Sequence, residues 1–564
     1  MSAQAAAGLA PQSLIDCTQD IGDPPGVREG AALLLEAARD GRAGVICDYD
    51  VDGATSQAIL VEALRKVAPR GSPDPAVAVP DQNTEGFGPN DRCLQELAQA
   101  GATCVAVLDC GTASGQLLDR FQADTGIAVL VIDHHPPHGL TPPRLGSLVN
   151  PWVSKAPDPG QHGTLCAAGL SWFVGRSILR QSGLAQADVR SVLQHITLLA
   201  ALGTSCDMMR LDTPFNRSLI RLGVRLLSRR EILSPGLAGI CEATGLKGEP
   251  TADDLNWRIG PRLNAGRRMG ESDLAARCLR ERDPVVARKL AEQLDDYNRA
   301  RKALGQKAER ELESSENSAS FEKGPVNLHV LESATPGTVG LAASSLVKRF
   351  GWPAIVLTKR RGTSLSGSGR SALEFNLGAA VSTAREEGIL THGGGHAKAC
   401  GVELDASQVS AFRAFLHRTF REHASRNGGI RQPTHVIDAV LGSEHLSNDS
   451  LMAIAEAQDR LAPWGQGLKF PLFGARRCSL ARRPRTKNRH VFMTLGSGPA
   501  EFEAVWWGAP EDWAERLGLG ENTRARLRRG PTREVDVVGY VELDEWQGRR
   551  NGRFVVRNAR ASAK

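Results

Sequence analysis

Val45-Ile46-Cys47-Asp48-Tyr49-Asp50-Val51-Asp52-Gly53 runs from an apolar stretch straight into alternating aspartates and ends on a glycine. With the helical pattern of residues 56–67 after it, this predicts a strand that turns at Gly53 into a helix. If the backbone stays extended through the acids, its period of two aims Asp48, Asp50 and Asp52 to one side. Three neighbouring carboxylates repel one another unless cations lie among them.

The same grammar recurs downstream. Val105-Ala106-Val107-Leu108 leads into Asp109-Cys110-Gly111, and Val129-Leu130-Val131-Ile132 into Asp133-His134-His135-Pro136. A fourth apolar stretch, residues 198–203, precedes Thr204-Ser205-Cys206-Asp207. From residue 31 to about 227, apolar runs at 44–47, 103–108 and 127–132 alternate with helical patterns at 56–67 and 91–100. That βαβ rhythm implies a mostly parallel sheet, in which ligands bind outside the carboxyl ends of the strands. Acids and histidines at several such ends converge on one crevice. Oxygen ligands mixed with imidazole suit Mn²⁺ or Mg²⁺ better than a thiolate zinc site.

Composition narrows the class. Of 564 residues, 41% are hydrophobic, enough for several cores, so wholesale disorder is excluded. No stretch reaches 18 apolar residues, so no membrane-spanning helix is expected, and residues 1–11 lack the pattern of a signal peptide. The 11 cysteines are scattered without a C-x-x-C pair, which fits reduced thiols in a cytoplasm. Residues 431–564 hold 22 Lys+Arg against 16 Asp+Glu, a surplus of six that equals the net charge of the whole chain. A basic domain beside a neutral one points to a polyanionic partner, most often nucleic acid.

The remaining domains follow from pattern changes. Residues 1–30 read as a lead-in, 31–278 as the acidic α/β domain and 279–320 as a connector helix with a polar break at 314–320. The α/β rhythm returns in a smaller domain at 321–425, and 430–564 is rich in β signals, as in a small barrel. Trp464, Phe470, Phe473, Phe492, Phe502, Trp506, Trp507 and Trp546 lie there among Arg482, Arg483, Arg485 and Arg489. Such a mixture suits single-stranded nucleic acid, with over half of the aromatics expected in the core and the arginines at the strand. In the smaller domain, Gly367-Ser368-Gly369-Arg370-Ser371 and Gly393-Gly394-Gly395-His396 offer backbone N–H groups, a forked guanidinium and glycines that permit close approach of a nucleotide.

Taken together, Asp48–Gly53 with Ala54-Thr55-Ser56, Asp109-Cys110-Gly111, Asp133-His134-His135 and Ala201-Leu202-Gly203-Thr204 with Asp207 resemble the DHH phosphoesterase superfamily. Within it the chain resembles the RecJ single-strand exonucleases. Glu85-Gly86-Phe87-Gly88, Gly260-Pro261-Arg262-Leu263-Asn264-Ala265 with Arg268-Met269-Gly270, the two glycine-rich runs, and Leu461-Ala462-Pro463-Trp464-Gly465 with Phe473 carry that narrower likeness. The resemblance implies a DHH domain, a DHH-associated domain and an oligonucleotide-binding barrel over about residues 40–560. It implies hydrolysis of single-stranded DNA from the 5′ end by a two-ion Mn²⁺ or Mg²⁺ site, releasing 5′-mononucleotides in DNA repair and recombination. It draws the metal ligands from Asp48, Asp50, Asp52, Asp109, His134 and Asp207, with Asp48 ranked below the rest. It gives His135 to the scissile phosphate and Asp133 to orienting a histidine. Substrate contacts fall on Gln82, Asn264, Arg268, Gly369, Arg370, Ser371, Gly394, Gly395 and His396, and partners on single-stranded DNA with a single-strand-binding protein or helicase.

Three departures stand out. Gln82 follows Val79-Pro80-Asp81 where the family carries an arginine tied to 5′-phosphate recognition. Thr335 replaces a histidine ahead of Gly337-Thr338-Val339-Gly340, and the family's R-L-N-A-A-G-R run reads Arg262-Leu263-Asn264-Ala265-Gly266-Arg267-Arg268. These imply an altered end preference. Two competing functions are a DHH-type phosphodiesterase for short oligonucleotides or dinucleotides and a catalytically silent single-strand-binding scaffold. The basic barrel argues against the first, and the complete set of acids against the second.

Overall fold

The computed structural model describes residues 13–82, 84–137, 141–144, 146–153, 162–246, 248–316, 325–360, 362–427, 436–488, 490–498, 500–510, 512–519, 534–546 and 549–562. They form two compact units, one of residues 12–209 and 215–433, the other of 210–214 and 434–564.

In the first unit, strands β1 (Ala43–Cys47), β2 (Ala76–Ala78), β3 (Cys104–Leu108), β4 (Ala128–Ile132) and β5 (Ser147–Val149) form an all-parallel sheet in the order β2-β1-β3-β4-β5. β1 and β3 are buried along their whole length. That is why they read as unbroken apolar runs: helices cover both faces of such a sheet. The chain leaves β1 for β2 on one side and then crosses to β3 on the other. The order of strands therefore reverses between β1 and β3, and a crevice opens beyond their carboxyl ends.

The extended reading of the three aspartates does not hold. β1 stops at Cys47, and helix Val51–Val67 begins three residues after Asp48. Asp50 is its N-cap, with Oδ1 accepting from the N–H groups of Asp52 at 2.9 Å and Gly53 at 3.2 Å. Capping those otherwise unpaired donors outweighs strand continuation. Gly53 is required by space: a Cβ there would lie 2.3 Å from Asp48 O. Residues 198–203 belong to helix Gln186–Cys206, so Asp207 stands at a helix C-terminus and not at a strand end.

Helix Pro284–Glu316 begins five residues later than the expected connector and runs through Ser314, the first residue of the expected break. Its residues Ala308 and Leu312 pack with Leu346 and Val356 against a second sheet. That sheet comprises β6 (Asn327–Val330), β7 (Ala354–Lys359), β8 (Ser364–Arg370), β9 (His392–His396) and β10 (Ala399–Asp405) in the order β6-β7-β8-β10-β9. Among the described residues of this sheet, only β6 and β7 pair in parallel. Ile355 and Leu357 point to its other face, onto Phe412, Leu416 and Phe420.

The second unit holds β11 (Ala439–Leu441), β12 (Phe473–Leu480), β13 (Arg485–Lys487), β14 (His490–Ser497), β15 (Ala500–Trp506), β16 (Glu534–Trp546) and β17 (Arg549–Ala561), ordered β11-β12-β16-β17-β15-β14-β13. β12 also pairs with β14 at Ser479–Gly496 and Leu480–Leu495. Of the seven aromatics named above whose side chains are described, Phe502 and Trp506 are core and Phe473 packs against it. The expectation of a core majority is overturned. Trp464, Phe470 and Tyr540 form one partly exposed group with Arg557 over the Tyr540 ring, while His490, Phe492 and Trp507 form another with Arg553 over Trp507. These rings lie against the surface of the sheet, where cation–π contacts with arginine accommodate them without burial. Arg482, Arg483 and Arg485 are exposed; Arg489 and the Trp546 side chain lie outside the described residues.

Candidate metal centre

The carboxyl ends of β1, β3 and β4 and the end of helix Gln186–Cys206 deliver six potential ligands to one place. Asp48 follows β1, and its N–H continues the sheet ladder to Leu108 O. Asp109 follows β3 with φ +60° and donates its N–H to Ile132 O at 2.9 Å. Left-handed backbone is unusual for a non-glycine residue and redirects its side chain at the end of the strand. Asp52, on the first turn of its helix, is fully buried, and its two oxygens accept from the N–H groups of Ala167 and Ala168, each at 2.8 Å. These open helix Ala167–Gln181, whose positive end favours an anion. A Cβ at Gly203 would lie 2.5 Å from Thr55 Oγ1 and 3.0 Å from Asp52 Oδ1, so a glycine there lets the two helices close on Asp52.

His134 ties the set together. Its Nε2 lies 3.3 Å from Asp109 Oδ1, 3.7 Å from Asp207 Oδ2 and 3.8 Å from Asp52 Oδ2. Ligand atoms come within 4.8 Å of one another in three overlapping sets: Asp52, His134 and Asp207; Asp48, Asp50 and Asp109; and Asp109, His134 and His135. Asp109 and His134 are each shared by two sets. Overlap of this kind leaves room for adjoining ions, and Asp48 lies within one of the sets.

The electrostatics favour a cation. Burial, and then the charge of Asp50, push Asp48 up to about 8. Burial followed by Asp52 and Asp50 takes Asp207 to about 8, and Asp109 is raised well above the carboxylate range by burial and four surrounding aspartates. Burial lowers His134, which keeps its imidazole neutral and able to ligate. Asp48 Oδ1 and Asp109 Oδ1 are buried and accept no hydrogen bond. Orphaned buried oxygens of this kind, beside a neutral imidazole, fit Mn²⁺ or Mg²⁺.

Asp133 stands beside these sets and holds His135, a member of one of them. Asp133 Oδ1 accepts from His135 Nδ1 at 2.8 Å and from the N–H groups of His134 and His135, and Oδ2 accepts from Thr112 N–H at 3.0 Å. Burial disfavours the carboxylate, yet its hydrogen bonds with His135 and Thr112 and the His135 charge hold Asp133 at about 2. Asn150 donates to His135 O and Thr112 Oγ1. Thr112, Asn150, Ala167 and Ala168 escaped sequence reasoning. The only signal for Asn150 was its position after an apolar run, and none marked the others. Phe87 is 58% exposed and sets its ring 5.7 Å from that of His135.

The expected substrate residues divide. Gln82 donates its N–H to Ser272 Oγ at 3.0 Å, and its buried Oε1 accepts no hydrogen bond. Asn264 Oδ1 accepts from Arg267 Nε at 2.8 Å, and Arg268 donates to Gly337 O at 3.1 Å. Arg370 donates to Ser368 Oγ and Gly369 O, both at 2.8 Å. Thr335 serves the turn before helix Val339–Phe350, its N–H bonded to Thr338 Oγ1. Ser371 gives its hydroxyl to Phe375 O. Gly369 is explained by packing, because a Cβ there would strike Cys400 Sγ at 2.6 Å and Leu377 at 2.7 Å. Gly394 and its partner Gly401 face open space, Gly395 has φ +145°, and His396 is exposed on the same strand. Close backbone approach is therefore available on β9, not at Gly369.

Three family models match the chain: the DHH family N-terminal domain over residues 42–204, the DHHA1 domain over 324–422 and the RecJ OB domain over 437–558. The chain belongs to the RecJ branch of the DHH family. Single-stranded-DNA-specific exonuclease RecJ of Bacillus subtilis is 28% identical over 547 residues, which are 95% of this chain and 64% of that longer relative. RecJ of Dickeya dadantii is 28% identical over 554 residues, 94% of this chain and 90% of its own length. RecJ of Thermus thermophilus in complex with Mn²⁺ superposes with a TM-score of 0.75 at 25% identity, covering 96% of this chain and 73% of that one. Its complex with Mg²⁺ shares the fold at a TM-score of 0.69 and 24% identity, over 96% and 71% of the two chains. Among the described residues of this RecJ-family chain, no helix is long and apolar enough to cross a membrane.

Proposed function

We propose that the chain is a metal-dependent exonuclease that degrades single-stranded DNA from the 5′ end to 5′-mononucleotides in DNA repair and recombination. The observation that carries this reading is the cluster built on Asp109 and His134, two residues shared between overlapping ligand sets at the point where the strand order reverses. Asp48, Asp50, Asp52, Asp109, His134 and Asp207 would hold Mn²⁺ or Mg²⁺. Bound there, the ions supply the Lewis acidity that activates water and neutralises charge on a phosphoryl group. Asp52 is held by two backbone donors and keeps the first turn of its helix in register with the site. Asp133 orients His135, whose other ring nitrogen is left for the phosphate. Arg268 and Arg370 supply forked donors for a second phosphate of the strand, Arg268 toward its 5′ end.

The RecJ OB domain match and the two surface aromatic groups support a single-stranded polymer as substrate in preference to a dinucleotide. The crowded acids argue against a silent scaffold, because they destabilise a protein that binds no cation. On this reading the enzyme works in the cytoplasm, and a single-strand-binding protein or helicase presents the strand. The test is hydrolysis of labelled long single strands, duplexes and dinucleotides with Mn²⁺ or with EDTA. Turnover confined to long single strands with Mn²⁺ supports the reading, and equal turnover of dinucleotides overturns it.

A further inference from the structure

Segment 260–272 brings two consecutive guanidiniums, Arg267 and Arg268, to the edge of the acidic cluster. Arg301, from helix Pro284–Glu316, donates to Asn298 Oδ1 at 2.9 Å and keeps a buried Nε without a hydrogen-bond partner. Arg370 is seated against Gly340, where a Cβ would lie 2.9 Å from its guanidinium. Burial, with added repulsion from Arg267, Arg301 and Arg370, lowers Arg268 to about 10. None of these four arginines forms an ion pair with a carboxylate among the described residues. Four neighbouring cations with no carboxylate in direct ion-pair contact make an anion site beside the acids.

Arg267 differs from the other three in what it faces. Its Nε is bound to Asn264 Oδ1, and its guanidinium lies 5.6 Å from the centre of the Tyr49 ring. Tyr49 sits between Asp48 and Asp50 in sequence, and Arg267 is followed directly by Arg268. One guanidinium thus spans the carboxylate cluster and the cationic one, with one nitrogen committed to Asn264.

We propose that Arg267 contacts the phosphate being cleaved, as a substrate-binding residue that Asn264 and Tyr49 place between the metal-ligating carboxylates and the Arg268–Arg370 anion site. The proposal rests on reading the chain as a phosphodiesterase acting on nucleic acid. It makes Asn264 a positioning residue, since its side-chain oxygen is occupied by Arg267. The terminal N–H groups of Arg267 match two oxygens of one phosphate, which a lysine ammonium does not.

The experiment measures kcat/KM with Mn²⁺ on a 5′-phosphorylated thymidine oligonucleotide at several salt concentrations. Arg267→Gln is expected to lower kcat/KM roughly ten- to a hundredfold, the loss of a charge-assisted bond. It should also flatten the slope of log KM against log salt by about 0.7. Arg267→Lys keeps the slope with a reduced rate. Asn264→Ala keeps the slope, because the charge remains, and lowers kcat/KM several-fold. Wild-type rate and slope in Arg267→Gln overturn the proposal. If that variant fails to fold, Asn264→Ala decides, and an unchanged kcat/KM overturns it. A wild-type enzyme inactive on every strand with Mn²⁺ overturns instead the function on which the proposal rests.

Discussion

Asp133 Oδ1 lies 2.8 Å from His135 Nδ1 and accepts the backbone N–H groups of His134 and His135 as well. One carboxylate oxygen thereby sets the ring of His135 and the backbone that presents His134 to the acids. With Nδ1 donating, Nε2 is the nitrogen available to substrate. Asp133→Asn is expected to lower kcat roughly ten- to a hundredfold, as loss of an orienting partner does, while circular dichroism stays native. An unchanged kcat would show that His135 needs no such support.

The acidic cluster makes metal a stability determinant. In EDTA, Asp109→Asn should melt no lower than wild type, because a neutral amide replaces a carboxyl whose charged form burial and the neighbouring acids disfavour. Adding Mn²⁺ should raise the melting temperature of wild type more than that of the variant, since ligand binding to the native state stabilises it by mass action. Asp109→Ala and His134→Ala should both abolish hydrolysis. Equal Mn²⁺ shifts in all of these proteins, followed by differential scanning fluorimetry, would remove the metal centre from this place.

Gln82 offers a neutral amide, and its buried Oε1 has no hydrogen-bond donor. Its backbone is tethered to Ser272, four residues from Arg268. Preference for a 5′-phosphate over a 5′-hydroxyl strand should therefore be modest in wild type. Gln82→Arg should raise that preference about tenfold, the worth of one charge-assisted bond, and Arg268→Ala should lower it. Degradation of the two strands by the three proteins checks this, and a strong wild-type preference untouched by Gln82→Arg would place the end pocket elsewhere.

The two surface aromatic groups separate stacking from charge. Trp507→Ala and Phe470→Ala should weaken binding of long single strands by about 1–3 kcal/mol for each stacked base, with the salt slope unchanged. Arg483→Ala and Arg485→Ala should flatten the slope by about 0.7 per lost phosphate contact. Fluorescence anisotropy across a salt series distinguishes these outcomes. Identical slopes in the arginine variants would exclude them from the strand.

Glu85 anchors the loop that carries Phe87. Its Oε2 accepts from Asp81 N–H at 2.7 Å, and the hydrogen bond from Arg92 holds its carboxyl down at about 2 against partial burial. A carboxyl lowered on folding stabilises above its unfolded value of about 4.3, and that contribution is lost as pH falls toward about 2. Glu85→Gln should therefore lower the melting temperature at about pH 7 and leave it unchanged near about pH 2. A deficit of equal size at both pH values would show that charge is not what fixes this loop.

Much of this protein was legible from local pattern. Unbroken apolar runs ending on Asp48, Asp109 and Asp133 marked the strands of a parallel sheet, because a strand buried on both faces has no polar side to show. The choice of oxygen and imidazole ligands followed from residue type at the strand ends, and the DHH and RecJ motifs from resemblance to those families. Other features depended on residues far apart in the chain. Asp52 is held by Ala167 and Ala168 and closed in by Gly203, contacts that no spacing near Asp52 encodes. The cap at Asp50 broke the apparent period of two, because a helix start satisfies more backbone donors than one more strand residue would. Asp207 proved to end a helix, since an apolar run buried all round shows no face from which its period can be read. Only the tertiary structure decided that Gly369 serves packing while Gly394 faces open space, and that Arg267 lies over Tyr49. A glycine's missing side chain and a guanidinium's reach take their meaning from whatever the fold brings within a few ångströms.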